Sequence, residues 1–149
     1  MAEYKKGCHT VYDIKLHFVW RTKYRYKILK ERLADRCREL IIQVCKRNKV
    51  DIIKGHMEAD HIHLFVSLPA TIAPSKLMQY IKGSTSRRLQ QEFPELNKRY
   101  WGRHMWSTGY FCASSGTVTD ETIKQYLEEH RDKDSQNDFT IADQLPENG

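Results

Sequence analysis

The stretch VDIIKGHMEADHIHLFVSLP, residues 50–69, decides how the rest of the chain is read. Residues 50–57 are rich in β-branched side chains, Glu58 and Ala59 interrupt them, and residues 61–68 resume an alternation that Pro69 ends. Two apolar runs joined by so short a polar turn make a β-hairpin. With a period of two, Ile62, Leu64, Val66 and Leu68 share one face of the second strand, and His61, His63, Phe65 and Ser67 share the other. The aliphatic set belongs to a core, so the histidine set looks away from it.

The same alternation holds on the N-terminal side of the hairpin. In residues 11–20, Tyr12, Ile14, Leu16, Phe18 and Trp20 share one face of a strand, with Asp13, Lys15 and His17 opposite. Between the two, residues 28–48 repeat apolar side chains at helical spacing (Leu29, Leu33, Cys37, Leu40, Ile41, Val44, Cys45), an amphipathic helix. On the C-terminal side, Pro74 suits the first turn of a second helix with Leu77, Met78, Ile81, Thr85 and Leu89 as its buried stripe. Phe93 and Pro94 close that helix. Residues 110–115 then suit a fourth strand, and Thr119 caps a last helix running to about residue 133.

The order β-α-β-β-α-β plus a terminal helix predicts a ferredoxin-like α+β sandwich, an antiparallel sheet with helices on one face and the other face open. At 149 residues the chain supports one core. Residues 1–133 are read as that domain and residues 134–149 as a polar, acidic tail. The fold by itself hosts RNA binders, metal carriers and nucleases, so function has to come from side chains.

Charge narrows the partners. Residues 1–49 hold 14 lysines and arginines against 5 acids, while residues 120–149 hold 3 against 9. A basic N-terminal third of this kind suits a polyanion such as nucleic acid. Cys8, Cys37, Cys45 and Cys112 show no C-x-x-C spacing and are expected as reduced core residues of a cytoplasmic protein. No apolar run approaches the roughly 20 residues of a membrane span, and the first ten residues lack the apolar segment of an export signal.

His61 and His63 stand roughly 6 to 7 Å apart on one strand face, close enough to converge on one ion, although this spacing also occurs on solvated strands. A held ion needs a third ligand. In TDETIKQYLEEH, Tyr126 and His130 are four residues apart and share a helical face, which is equally what an ordinary amphipathic helix with an edge tyrosine would show. If His130 were that ligand, the ion would lie beside the Tyr126 phenol. A free tyrosine is only about 0.1% ionised at pH 7 and needs such help to become a nucleophile.

At this point the chain resembles the single-tyrosine HUH transposases of the insertion-sequence 200/605 group. The resemblance spans roughly residues 12–133 and rests on HFVWRTKYRYKIL, DHIHLFVSLP, LMQYIKGSTSRRL, MWSTGYF and IKQYLEEH, in that order. It implies a transposase that cleaves and rejoins hairpin-bearing single-stranded DNA through a 5′-phosphotyrosine, with Tyr126 as nucleophile and His61 and His63 as metal ligands. It implies Mg²⁺ or Mn²⁺, no nucleotide cofactor, and a homodimer whose active sites are shared between subunits. Where the family commonly carries glutamine, this chain carries His130, a softer ligand that favours Mn²⁺ over Mg²⁺. A domesticated relative acting on repeated palindromes, or a non-catalytic module that binds single-stranded nucleic acid, would share much of this pattern.

The run from Trp20 to Lys27 interleaves four cations with three aromatics, a mix that tracks phosphates and stacks on bases or simply forms a solvated basic loop. Arg21, Lys23, Tyr24 and Arg25 are its candidate DNA contacts. Lys82, Arg87 and Arg88 on the second long helix are candidates for a hairpin stem, against the alternative of a charged outer face. His17, on the side of its strand away from the apolar stripe, could lie near the metal site but is read as an ordinary surface or hydrogen-bonded histidine; His56 has no spacing argument, and Trp101 and Trp106 are read as packing or dimer residues.

Overall fold

The computed structural model describes residues 4–7, 11–100, 104–114 and 120–129. A two-stranded ribbon, β1 (Lys5–Lys6) and β2 (Val11–Tyr12), precedes β3 (Ile14–Arg21). Then come α1 (Glu31–Arg47), β4 (Asp51–Met57), β5 (His61–Leu68), α2 (Pro74–Glu92), the short α3 (Glu95–Tyr100), β6 (Phe111–Ser114) and α4 (Asp120–Glu129). The four long strands form one antiparallel sheet in the order β4-β5-β3-β6, the order of a ferredoxin-like sandwich. The expected fold class is therefore what the chain adopts, with α3 and the β1–β2 ribbon as additions.

The core lies between α1, α2 and one face of the sheet. Phe18, Trp20, Ile62, Leu64, Val66 and Leu68 are buried against Cys37, Leu40, Ile41 and Val44 of α1 and Leu77, Met78 and Ile81 of α2. Each large side chain buried there contributes about 1.5–3 kcal/mol, which holds β3 and β5 in a register that tolerates no one-residue slip. α1 stops where Asn48 turns its side-chain amide back onto the Val44 carbonyl at 2.8 Å, satisfying one of the end carbonyls that a helix leaves open.

A second, smaller cluster sits on the other face. Val19 of β3 is fully buried beneath Tyr126 and Leu127 of α4, with Phe111 and Ile123 packed against them. The face expected to stay open is thus partly roofed by α4. Among the described cysteines Cys37 and Cys45 are buried and Cys112 is exposed on β6, so the expectation of core thiols fails at Cys112. The reason is its place on an edge strand, on the face away from Phe111. Cys8, Thr119 and the acidic tail lie outside the described residues. No helix among the described residues is long and apolar enough to cross a membrane.

Candidate functional site

The register of the sheet sets which side chains meet. Val19 pairs with His63 on β5 and with Phe111 on β6, while Arg21 pairs with His61. Paired residues project to the same face, so His61, His63, Val19 and Phe111 lie together under α4. Tyr126 packs on Val19 with its ring 5.9 Å from that of Phe111, and is 7% exposed. The tyrosine and the two histidines are thereby assembled from one chain on one surface. His130 lies outside the described residues.

His61 is held from behind. Its Nδ1 donates to Asp60 Oδ1 at 2.9 Å, and since a carboxylate only accepts, the neutral ring keeps its Nε2 lone pair free. Asp60 Oδ2 takes the Arg25 guanidinium, from Nε at 3.2 Å and from Nη2 at 3.0 Å. Burial pushes the Asp60 carboxyl up, but the donors from His61 and Arg25 more than offset it, and the group stays below the ordinary carboxylate range. Asp60 therefore remains an anion that orients His61, the support commonly found behind metal-ligating imidazoles.

His63 has a different neighbour. Its Nε2 lies 2.9 Å from His17 Nδ1, and His17 in turn stacks on Phe65 with ring centroids 4.1 Å apart. Burial lowers the pKa of His17, so the neutral ring is favoured beside His63. The sequence puts His17 on the side that could lie near the histidine pair, but gives it no partner. The signal that finds it is diagonal, because it sits two rows from Val19, the cross-strand partner of His63.

His56 is brought in by a bulge. The pairing shifts between Ile52 and Lys54, leaving Ile53 extra, and His56 then falls opposite His63. Were Ile53 paired regularly with Phe65 instead of bulged out, His56 would oppose Ile62 and point at the core. It instead bonds Glu58 at 2.7 Å on the rim. A surface hollow of about 510 Å³ has Arg25, His56, Asp60, His61 and His63 in its lining, together with Ile123 of α4. Among the described residues no three His, Cys, Asp or Glu side chains are gathered to hold a metal. His61 and His63 are two imidazoles on one face that could share an ion, and the neutral His61 ring keeps Nε2 as an acceptor.

The predicted DNA contacts separate into two groups. Lys23, Tyr24 and Arg25 form a tight turn outside the sheet, Tyr24 and Arg25 both at left-handed φ (60° and 53°), with Lys23 Nζ 5.8 Å from the Tyr24 ring. Arg87 is exposed, and Arg88 is half-buried and paired with Glu92 at 3.6 Å. Two assignments need correction. Arg21 is 1% exposed inside β3, where strand alternation turns it onto the histidine face and out of the solvated loop.

Lys82 is 2% exposed and donates to the Ser107 carbonyl at 2.9 Å and the Gly109 carbonyl at 2.6 Å. It is a structural anchor rather than an outer-face cation. Lys82 lies one helical turn from both Met78 and Ser86, within the buried stripe of α2. Trp106 is buried and gives its Nε1–H to Thr85 at 2.8 Å, a packing residue as expected.

Comparison with known proteins extends this picture. Residues 10–130 match the family model described as "Transposase IS200 like". The ISDra2 transposase TnpA of Deinococcus radiodurans is 29% identical over 132 residues, 89% of this chain and 94% of that protein. The transposase of insertion sequence element IS200 from Salmonella typhimurium is 30% identical over 134 residues, 88% of each. A Deinococcus radiodurans crystal structure assigned as a transposase superposes with a TM-score of 0.74 at 28% identity, covering 84% of this chain and 96% of the other. A REP-associated tyrosine transposase bound to a REP hairpin gives 0.54 at 16% identity, covering 87% and 74%, a likeness of fold.

Proposed function

This chain belongs to the family of IS200-like transposases, and from that premise we propose that it cleaves and rejoins single-stranded DNA at hairpin-bearing ends, with Tyr126 as the nucleophile. The observation that carries the reading is the seat of Tyr126 on Val19, the residue paired across the sheet with His63. The phenol oxygen attacks the scissile phosphorus, the bond to the 3′ oxygen breaks, and that oxygen leaves with a proton as a free 3′-hydroxyl. A second 3′-hydroxyl then attacks the phosphotyrosine and restores Tyr126. The linkage conserves the energy of the diester, so no nucleotide cofactor enters.

The residues proposed to hold the divalent ion, Mg²⁺ or Mn²⁺, are His61 and His63, with His130 as the third. Bound there, the ion would polarise the phosphodiester and favour the ionised phenol. The chain's own contribution is orientation: Asp60 fixes His61, His17 backs His63, and the cluster of Val19, Phe111 and Leu127 keeps the tyrosine largely out of water. The turn bearing Lys23, Tyr24 and Arg25 borders the same hollow through Arg25 and is proposed to carry the strand.

Tyr126→Phe tests the reading, with loss of both single-strand nicking and covalent DNA attachment as the expected result. Nicking that survives intact would sink it and leave a different nucleophile or a binding module. We also propose a homodimer with shared sites. The cluster under α4 is small and separate from the main core, the kind of seat a helix can exchange for an identical one on a partner. Mixing Tyr126→Phe with His63→Ala chains should then restore cleavage, and failure to do so would confine each site to one chain.

A further inference from the structure

We propose that Asp60 is a positioning residue for the metal site, fixing the protonation and aim of the His61 ring while tying it to the strand-binding turn. The inference rests on the metal reading given above for His61. Asp60 is surrounded by donors on every oxygen. Its backbone carbonyl accepts from Thr22 N at 2.9 Å. Its Oδ1 accepts from His61 Nδ1 at 2.9 Å, and its Oδ2 accepts from Arg25 Nε at 3.2 Å. The Asp60 side chain is 12% exposed and that of His61 is 16% exposed, so water competes poorly for these bonds.

The consequence follows from donor arithmetic. A neutral histidine in water exchanges its proton between two nitrogens and turns freely about its side-chain bonds. Beside an acceptor-only carboxylate the proton stays on Nδ1, the ring is held in one plane, and Nε2 presents its lone pair to the hollow. Arg25 completes the device from the other side. Its Nε and Nη2 hold the carboxylate in place, and its backbone N–H donates at 2.9 Å to the carbonyl of Thr22, whose hydroxyl closes the turn onto the Tyr26 carbonyl at 2.7 Å. A change at Asp60 therefore reaches the ligand and the turn together.

Asparagine removes the charge and one of the two acceptor oxygens while keeping the shape of the side chain. Its side chain has one acceptor oxygen where Asp60 serves two donors, so either His61 or Arg25 faces an amide N–H. The experiment has two parts, both on the full chain without DNA. Histidine ¹⁵N NMR of the wild-type protein, free of metal, is expected to show His61 protonated on Nδ1. A proton found on Nε2 overturns the proposal, and this measurement needs no variant to fold.

Titration with Mn²⁺ alone, followed by the EPR signal of the free ion, is expected to show affinity about 10–100-fold weaker in Asp60→Asn than in wild type. Equal affinity in a variant with an unchanged far-UV spectrum overturns the role of Asp60 while leaving the metal site standing. A wild-type chain that binds no Mn²⁺ overturns the metal reading itself, and the role of Asp60 with it.

Discussion

Lys82→Met distinguishes a structural anchor from a DNA contact, because the two roles move different observables. In the folded chain Lys82 Nζ bonds the Ser107 and Gly109 carbonyls, and the backbone on either side of that contact is tied to the site: Ser107 N donates to the Arg21 carbonyl, and Lys23 N to the Met105 carbonyl, at 2.9 and 2.8 Å. Methionine fills the same space but supplies no donor. The buried Ser107 carbonyl is then orphaned at a cost of about 1–3 kcal/mol, whereas the half-buried Gly109 carbonyl recovers much of its loss from water. Releasing a buried ammonium offsets part of the total. The net expectation is a loss of about 2 kcal/mol, which for a chain of this length lowers the melting temperature by about 4–8 °C. Urea unfolding followed by far-UV CD measures the first quantity and a thermal scan the second. Binding of a single-stranded hairpin, measured as log K against log salt, supplies the rival's observable. A variant as stable as wild type to within about 0.5 kcal/mol, with a salt slope shallower by about one, would refute the anchor and restore the phosphate contact.

The remaining predictions concern the site and the thiols. With three imidazoles proposed around the ion, cleavage should run better with Mn²⁺ than with Mg²⁺ across matched concentrations; a clear Mg²⁺ advantage would remove His130 from the ligand set. Burial pushes the Cys37 and Cys45 thiols up to about 12 and closes them off, so both should resist thiol reagents at pH 8 in the native protein, while Cys112, raised as well but exposed, reacts faster than either. Because the folded values lie above the unfolded ones, the stability these two thiols contribute is complete below pH 9 and declines between pH 9 and about 12. Unfolding titrations in Cys45→Ala should show a shallower alkaline decline than wild type; an identical decline would mean that other groups set it.

What the sequence made legible, and what it hid, follows from how far each signal reaches along the chain. Alternation and helical spacing are local, so they placed β3, β5, α1 and α2 and put His61 and His63 on the face away from the core. Periodicity places Tyr126 only at the edge of an amphipathic helix, and its candidacy as nucleophile comes from the family resemblance. Contacts that depend on register were not. His56 reaches the histidine face through one extra residue at Ile53, which no periodicity announces. His17 meets His63 diagonally across two strands, a relation fixed only once the pairing of Val19 with His63 is known.

Lys82 and Arg21 depart from the sequence expectation because both are buried. Residue type argued for solvent, while position put both among buried neighbours, and for Lys82 two backbone carbonyls make that burial tolerable. Position deserved the greater weight. A cation at an outer-face position can leave its partner at little cost, but one within a buried stripe must find acceptors that the fold supplies. Those acceptors, Ser107 and Gly109, lie 25 and 27 residues along the chain, in the segment that leads into β6 and, through it, to the strand beneath Tyr126. The buried lysine therefore belongs to the support of the site even though it touches none of the residues proposed to do chemistry.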